Sequence, residues 1–297
     1  DGSLRQGLRF SDPITKDISR VDSYGLAVQA TEAAGRHHFL SFGGDWFREL
    51  IASRRTLIRE ANSVPQRPLY PDGSRYQTWA LFAQDAMEFF GGRLRAAAGG
   101  RLTGIRFTNP ADASLGVARS AQDFRDATFH TSLSYRLAGP LTVHGLVSRG
   151  FRAPNANDLG AVGLNDLGYE IPAADAIAAG ALLGASAAEG ALPLGRPVDR
   201  LRAERLFNYE AGLSIRSRRF YARAQVFNSE LFDPIVRRTL LFSAASAPLE
   251  LGGVRVTPVA PTAAQAAQGV VTVATALDPR AVKAFVNDGR SRYHGVE

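Results

Sequence analysis

An all-β fold, an antiparallel up-and-down transmembrane β-barrel, is what this 297-residue sequence predicts. Three observations lead there. Apolar residues recur at every second position over many segments, the segments come in pairs joined by very short turns, and long polar or alanine-rich stretches separate the pairs. Strands that place one face in lipid and the other in a lumen alternate in this way. Short turns at one end and long loops at the other is the asymmetry of outer-membrane barrels.

Taken in chain order, a strand is expected near residues 4–10. Four hairpins follow, with turns at 33–36, at Gly91-Gly92, at Ala138-Gly139-Pro140 and at 216–219, and a last strand runs through Tyr293 to the end. That makes about ten strands. The long connections fall at about 48–75, 108–125, 154–200 and 238–282. Alanine dominates 173–191 and 262–268, where helical propensity predicts short helices inside loops.

Period two is clearest between the turns. Phe129, Leu133, Tyr135 and Leu137 alternate with His130, Ser132, Ser134 and Arg136, and Leu141, Val143 and Val147 alternate with Thr142, His144 and Ser148. Phe207, Tyr209, Ala211, Leu213 and Ile215 alternate with Asn208, Glu210, Gly212, Ser214 and Arg216. One face suits lipid and the other suits water. Both faces of 76–90 carry large apolar residues, so its orientation stays open. A soluble sandwich or propeller also pairs strands, but usually joins them by loops of similar, short length at both ends.

Composition narrows the function classes. No apolar run reaches the roughly 18 to 20 residues of a membrane-spanning helix, which leaves a barrel untouched. Lys and Arg total 35 against 28 Asp and Glu, only Lys16 and Lys283 are lysines, and the cations are spread rather than clustered, so no nucleic-acid partner is expected. Without cysteine there is neither a disulfide framework nor a thiolate metal site. No Gly-x-Ser-x-Gly elbow or phosphate-cradling Gly-rich loop occurs, and His37-His38 lacks the helical spacing of a zinc site, so no enzyme, resident cofactor or metal is expected. The chain opens at Asp1 with no Met and no secretory leader, which reads as truncation at both ends.

At 148–159 the chain reads Ser-Arg-Gly-Phe-Arg-Ala-Pro-Asn-Ala-Asn-Asp-Leu, directly after a strand and opening a long loop. These residues, with Gly150, Phe151, Arg152, Ala153, Pro154, Asn155, Asp158 and Leu159 at their centre, resemble the Gly-Phe-Arg-Ala-Pro-Asn signature of TonB-dependent receptors. Gly163 follows where such receptors commonly have glycine. Leu201-Arg202-Ala203-Glu204 stands where the family usually has Leu-x-Pro-Glu, and Tyr209-Glu210-Ala211-Gly212-Leu213 is similar to its Tyr-Glu-x-Gly strand. Asn287-Asp288-Gly289 with Tyr293-His294-Gly295-Val296-Glu297 resembles the family's Asn-x-Gly and Gly-Val-Glu element. Leu81-Phe82-Ala83-Gln84-Asp85 and 99–106 also fit in type and order, so the resemblance covers about 75–297.

The resemblance implies part of a 22-strand plugged barrel, with long extracellular loops and short periplasmic turns, in the bacterial outer membrane. On that reading 1–297 is a partial barrel, without the plug domain, the TonB box or the barrel's C-terminus. The function implied is active import of a scarce ligand, a ferric siderophore first of all, with energy from TonB acting on the plug. The partners implied are the TonB complex, outer-membrane lipid and a small-molecule ligand such as an iron chelate. Alternatives are a haem or other nutrient receptor of the same family and a passive porin or adhesion barrel.

The signature residues are read first as structural, with Gly150 and Pro154 shaping the strand exit and Phe151 packing at the membrane rim. Arg152, Asn155, Asn157 and Asp158, where the loop opens, are the candidates for ligand contact. His130 and His144 join them because alternation puts both on the lumen face. Haem receptors of the family are expected to carry a histidine in the loop after the signature and an Asn-Pro-Asn-Leu element beyond it. Residues 155–200 contain no histidine and 201–204 lack that element, which disfavours haem.

Overall fold

The computed structural model describes residues 14–59, 62–160, 163–165 and 167–297. Ten of its strands form one sheet, numbered here β1 to β10 in chain order. They are β1 (Ile14–Ala34), β2 (His38–Arg59), β3 (Asn62–Gln66), β4 (Ser74–Phe89), β5 (Leu94–Asn109), β6 (Ser120–Ala138), β7 (Leu141–Arg152), β8 (Glu204–Arg216), β9 (Tyr221–Phe232) and β10 (Arg290–Val296). Spatial order follows chain order, with the short β3 annealed to the end of β2. Every pairing is antiparallel.

Consecutive antiparallel strands force all four tight connections to one end, and the backbone joins them there. Glu88 N–H donates to His37 O, Arg136 N–H to Arg93 O and Arg216 N–H to Pro140 O. Three of these turns demand a left-handed backbone, at Gly35 (φ 71°), at Gly91-Gly92 (φ 63° and 79°) and at Gly139 (φ 51°), which glycine adopts without steric cost. The barrel topology read from the sequence therefore holds. The expected strand at 4–10 lies outside the described residues. The expected loop at 48–75 is overdrawn: β2 continues to Arg59, and β3 and β4 occupy part of the remainder. Charged Arg54 and Arg55 made that segment look like loop, although a sheet rising above a membrane carries such residues in regular strand.

The two faces of the sheet follow from register, because directly opposed residues share a face. Tyr76, Phe107 and Gln122 line up across β4, β5 and β6, and Phe107 is buried in a cluster with Leu159 and Tyr169 from the long loops. This is the inner face. On the outer face, Trp46, Trp79, Leu81, Leu102, Phe129, Leu133, Val147, Tyr209, Leu213 and Val226 form one apolar band from β2 to β9. Nearly all are exposed, Leu81 by 61% and Leu133 by 51%. In β6, half-buried inner residues alternate with exposed outer ones from Ser120 to Ser134, because side chains crowd on a concave face and splay on a convex one. Tyr135 and Ile215, also expected outside, share the parity of Leu133 and Leu213 but are half-buried. For 76–90 the ambiguity resolves with Trp79 and Leu81 outside and Tyr76, Ala80 and Phe82 inside.

The long connections fold into a cap over the loop end of the inner face. It contains α1 (Ala156–Gly160), α2 (Ala173–Ala178) and α3 (Ala263–Ala267), so the alanine-rich segments are helical in part only. Its main sheet joins strands Leu182–Gly184, Pro193–Pro197, Ile235–Ser243, Val270–Val271 and Lys283–Asn287. Leu240, Leu241, Phe242, Val273, Val282 and Ala284 are at most 2% exposed there. A folded cap is the main feature of these loops that alternation in the sequence did not predict.

Candidate functional site

At the mouth of the lumen the signature residues form a closed clamp. Pro154 ends β7, and Asn155 then caps α1. Its Oδ1 accepts from Asn157 N–H (2.8 Å) and Asp158 N–H (3.0 Å), while Asp158 Oδ2 accepts in return from Asn155 N–H (3.0 Å). This reciprocal pair satisfies backbone donors that a helix start leaves open. Arg152 holds three elements together. Its Nε and Nη2 donate to the two oxygens of Glu204 (2.8 Å each), and Nη1 donates to Asp158 Oδ2 (2.8 Å). Glu204 also accepts from Ile235 N–H (2.6 Å), tying in the cap strand Ile235–Ser243. The forked geometry suits guanidinium against carboxylate.

The surrounding residues serve the same turn. Pro154 O accepts from Tyr76 O–H (3.3 Å), and Asn157 Oδ1 accepts from Tyr70 O–H at a long 3.4 Å. Leu159 is 2% exposed within the cap core. Gly163 is required by close approach: a Cβ there would lie 2.9 Å from Pro68 O. Gly150 has open space around the position of a Cβ, so nothing nearby demands glycine. Phe151 lies on the outer face, opposite Arg205 of β8. Arg152 and Asp158 are thus engaged with one another, and Asn155 spends its side-chain oxygen on the cap.

The two lumen histidines sit on the inner face, as alternation requires. Each lies over a glycine of a neighbouring strand: His130 Cε1 is 2.6 Å from where a Cβ of Gly99 would be, and His144 Nε2 is 2.7 Å from that of Gly212. Gly212 in the Tyr-Glu-x-Gly strand thereby makes room for an imidazole. His144 Nε2 also meets Arg223 Nη2 at 3.2 Å. His144 lies opposite Ser134, four residues along β6 from His130, which at ~3.4 Å per residue puts them roughly 14 Å apart. They do not converge on one ligand atom. Among the described residues, no group of three or more His, Asp or Glu could hold a metal ion.

Elsewhere the inner face is polar and paired. Arg101 of β5 reaches across β4 to Asp45 of β2 (2.7 and 3.0 Å), passing over buried Ala80. Asn208 donates to Glu210 (2.6 Å). Beneath the cap, a cavity of about 540 Å³ is lined by Arg119, Gln122, Phe124, Asp158, Ile177 and Arg200. Neither Arg119 nor Arg200 has a side-chain partner among the described residues. Alternation could not find this pair, because the two arginines are distant in sequence and only the folded loops bring them together.

An open, curved, antiparallel sheet with an apolar outer band, a polar inner face and folded loops over one mouth defines the class: the wall of a transmembrane β-barrel with a capped lumen. The family profile described as "TonB dependent receptor-like, beta-barrel" matches residues 2–297. The chain belongs to that family. Solved structures agree on the fold. The Serratia marcescens hemophore receptor HasR, in complex with its hemophore HasA and heme, is similar with a TM-score of 0.58 at 13% identity, over 94% of this chain and 39% of that one. The copper transporter OprC is similar with a TM-score of 0.54 at 12% identity, over 95% of this chain and 35% of that one. The chain thus spans well under half the length of either. No curated protein sequence matches.

Proposed function

We propose that this chain is part of the wall of an active outer-membrane receptor that imports a scarce nutrient, most readily a ferric siderophore. In this reading the remaining strands close the barrel, a separate plug domain fills it, and the TonB complex supplies the energy. Among the described residues β1 and β10 each have one edge without a partner strand, which supports the first point, since backbone groups left open in lipid cost several kcal/mol each. The long loops face the cell exterior and the short turns the periplasm.

The observation that carries the reading is the cavity between Arg119 and Arg200 under a cap clamped to the signature turn. Two exposed guanidinium groups, unpaired among the described residues, line this space beside Asp123 and Asp158 and suit an anionic metal chelate. With the histidines roughly 14 Å apart, nothing favours joint axial ligation of haem. The test uses the full-length receptor in an iron-starved host lacking its own receptors. Growth on a panel of ferric chelates should require both this receptor and TonB. Replacing Arg119 and Arg200 with Ala should weaken binding of the transported chelate about ten-fold. Solute entry independent of TonB, with no chelate supporting growth, would establish a passive pore instead.

A further inference from the structure

Above the apolar band, the outer face changes character abruptly. Arg48 lies two residues beyond Trp46 on β2, Arg75 four residues beyond Trp79 on β4, and Arg106 two residues beyond Gly104 on β5. Arg125 of β6 lies opposite Gly104 itself. Register makes them diagonal neighbours on four adjacent strands: Arg75 opposes Leu50 and Thr108, while Arg106 opposes Gln77 and Asp123. Diagonal neighbours of one face are roughly 7–8 Å apart or closer, within reach of long side chains. All four strands lie inside the sheet, with both backbone edges paired, so what this face offers a partner is its side chains.

Among the described residues, charge on this patch is not balanced. Arg48, Arg75 and Arg125 have no hydrogen bond or ion pair among the described residues, and Arg106 has only a loose contact with Asp123 at 3.8 Å. Several arginines on the inner face and in the cap are treated differently, Arg119 and Arg200 at the cavity excepted. Arg101, Arg152, Arg237 and Arg280 each meet a carboxylate directly. Like charges at this spacing repel, and the carboxylates beside them on this face are Asp123, in that loose contact, and Asp22, diagonal to Arg48 but already engaged by Arg20 at 2.9 Å, so the patch keeps charge to offer a counter-anion from outside.

Its height identifies the source. The apolar band below spans about ten residues of each strand, which at ~3.4 Å per residue and ~45° tilt is roughly 24 Å, the thickness of the outward apolar band of such barrels. The arginines therefore stand at the headgroup level of the leaflet on the loop side. Resting on the reading of the chain as a membrane barrel, we infer that Arg48, Arg75, Arg106 and Arg125 form a docking site for a lipid headgroup bearing phosphate monoesters. The acyl chains would lie down the apolar band over Trp46, Trp79, Leu81 and Leu102. Guanidinium forks match phosphate oxygens two at a time, and Gln77, between Arg48 and Arg106, adds a neutral donor.

The test is native mass spectrometry of the full-length receptor in a neutral detergent, offered phosphatidic acid, phosphatidylcholine or inorganic phosphate. The receptor should retain phosphatidic acid about ten-fold over phosphatidylcholine, and the R48Q/R75Q/R106Q/R125Q variant should lose that preference. The quadruple lysine variant should keep part of it, and raising the salt concentration should weaken retention by the unaltered receptor, which needs no variant to fold. Equal retention of both lipids, or a preference that survives the glutamine substitutions, would overturn the site. Complete displacement of lipid by inorganic phosphate would overturn the lipid as occupant. A receptor that inserts and runs as a compact, heat-modifiable band yet shows no preference sinks only this inference. Failure to insert sinks the membrane reading as well.

Discussion

The wall and the cap of this molecule use the same apolar residue types in opposite ways. In the wall, Leu81, Leu102, Leu133 and Leu213 are 46% to 61% exposed and touch no core, because the solvent they face is hydrocarbon. In the cap, Leu183, Leu240, Leu241 and Leu251 are at most 2% exposed and pack with Phe242 and Val273 as in a water-soluble domain. Charges divide likewise. The cap buries Lys283, whose Nζ donates to Glu189 and to Leu167 O (2.9 Å each), and Glu170, which accepts from Arg237. The wall keeps ion pairs on the inner face, as Arg101–Asp45, above the band, as Arg20–Asp22, and beside the tight turns, as His38–Asp85. One chain thus solves two solvation problems, and the signature clamp is where the two solutions meet.

The largest expected effect breaks the cap alone. Leu240→Ala should cost about 2–5 kcal/mol in cap stability, whereas Leu81→Ala in detergent should stay within about 0.5 kcal/mol. Site-resolved hydrogen exchange would show this, and comparable costs at the two leucines would erase the distinction. The lipid side is probed next. Leu133→Arg should cost roughly 2–4 kcal/mol of folding into lipid, and Ser134→Arg on the inner face should be mild. Equal penalties would mean that the faces are misassigned.

Arg152→Ala tests the junction. It leaves Asp158 and Glu204, with side chains 6% and 13% exposed, without their cation. A fully buried pair would lose about 3–5 kcal/mol, and since Arg152 itself is 43% exposed, about 2–3 kcal/mol is expected. Protease cleavage within residues 154–200 should accelerate accordingly. Unchanged cleavage would show that the clamp does not hold the cap.

The smallest effect is one of pH. In the cap, the Arg280 guanidinium beside Asp278 holds its carboxyl below the ordinary aspartate value of 3.8. A depressed folded pKa contributes stability that is present above the unfolded value and lost as pH falls through the folded one. The cap should therefore loosen below about pH 4 while the wall's exchange protection persists. Asp278→Asn should flatten part of that dependence. Simultaneous acid loss of wall and cap would mean that they unfold as one unit.

Much of the wall was legible in advance because lipid and lumen impose a period of two on each strand, and tight hairpins impose glycine. The turns at Gly35, Gly91-Gly92 and Gly139 fell where expected, and so did the facing of Phe129, His130, Leu133 and Ser134. Strand ends were less legible. Above the membrane a strand has no lipid-facing requirement, so β2 runs on through Arg54 and Arg55 with nothing in its pattern to mark it. The signature was legible as a motif, but that Arg152 reaches Glu204, fifty-two positions away, was not.

Local periodicity and turn chemistry, carried by the sequence alone, determined that this chain is the wall of a transmembrane barrel with long loops at one mouth. Only the tertiary structure decided that those loops fold into a cap with its own core, since its short strands pair over long separations and bury both faces, leaving no repeat to read. It alone decided which arginines are neutralised and which are left facing outward. Period two assigns Arg48, Arg75, Arg106 and Arg125 a face, but whether a carboxylate stands within reach depends on register between strands, and register is a property of the folded sheet.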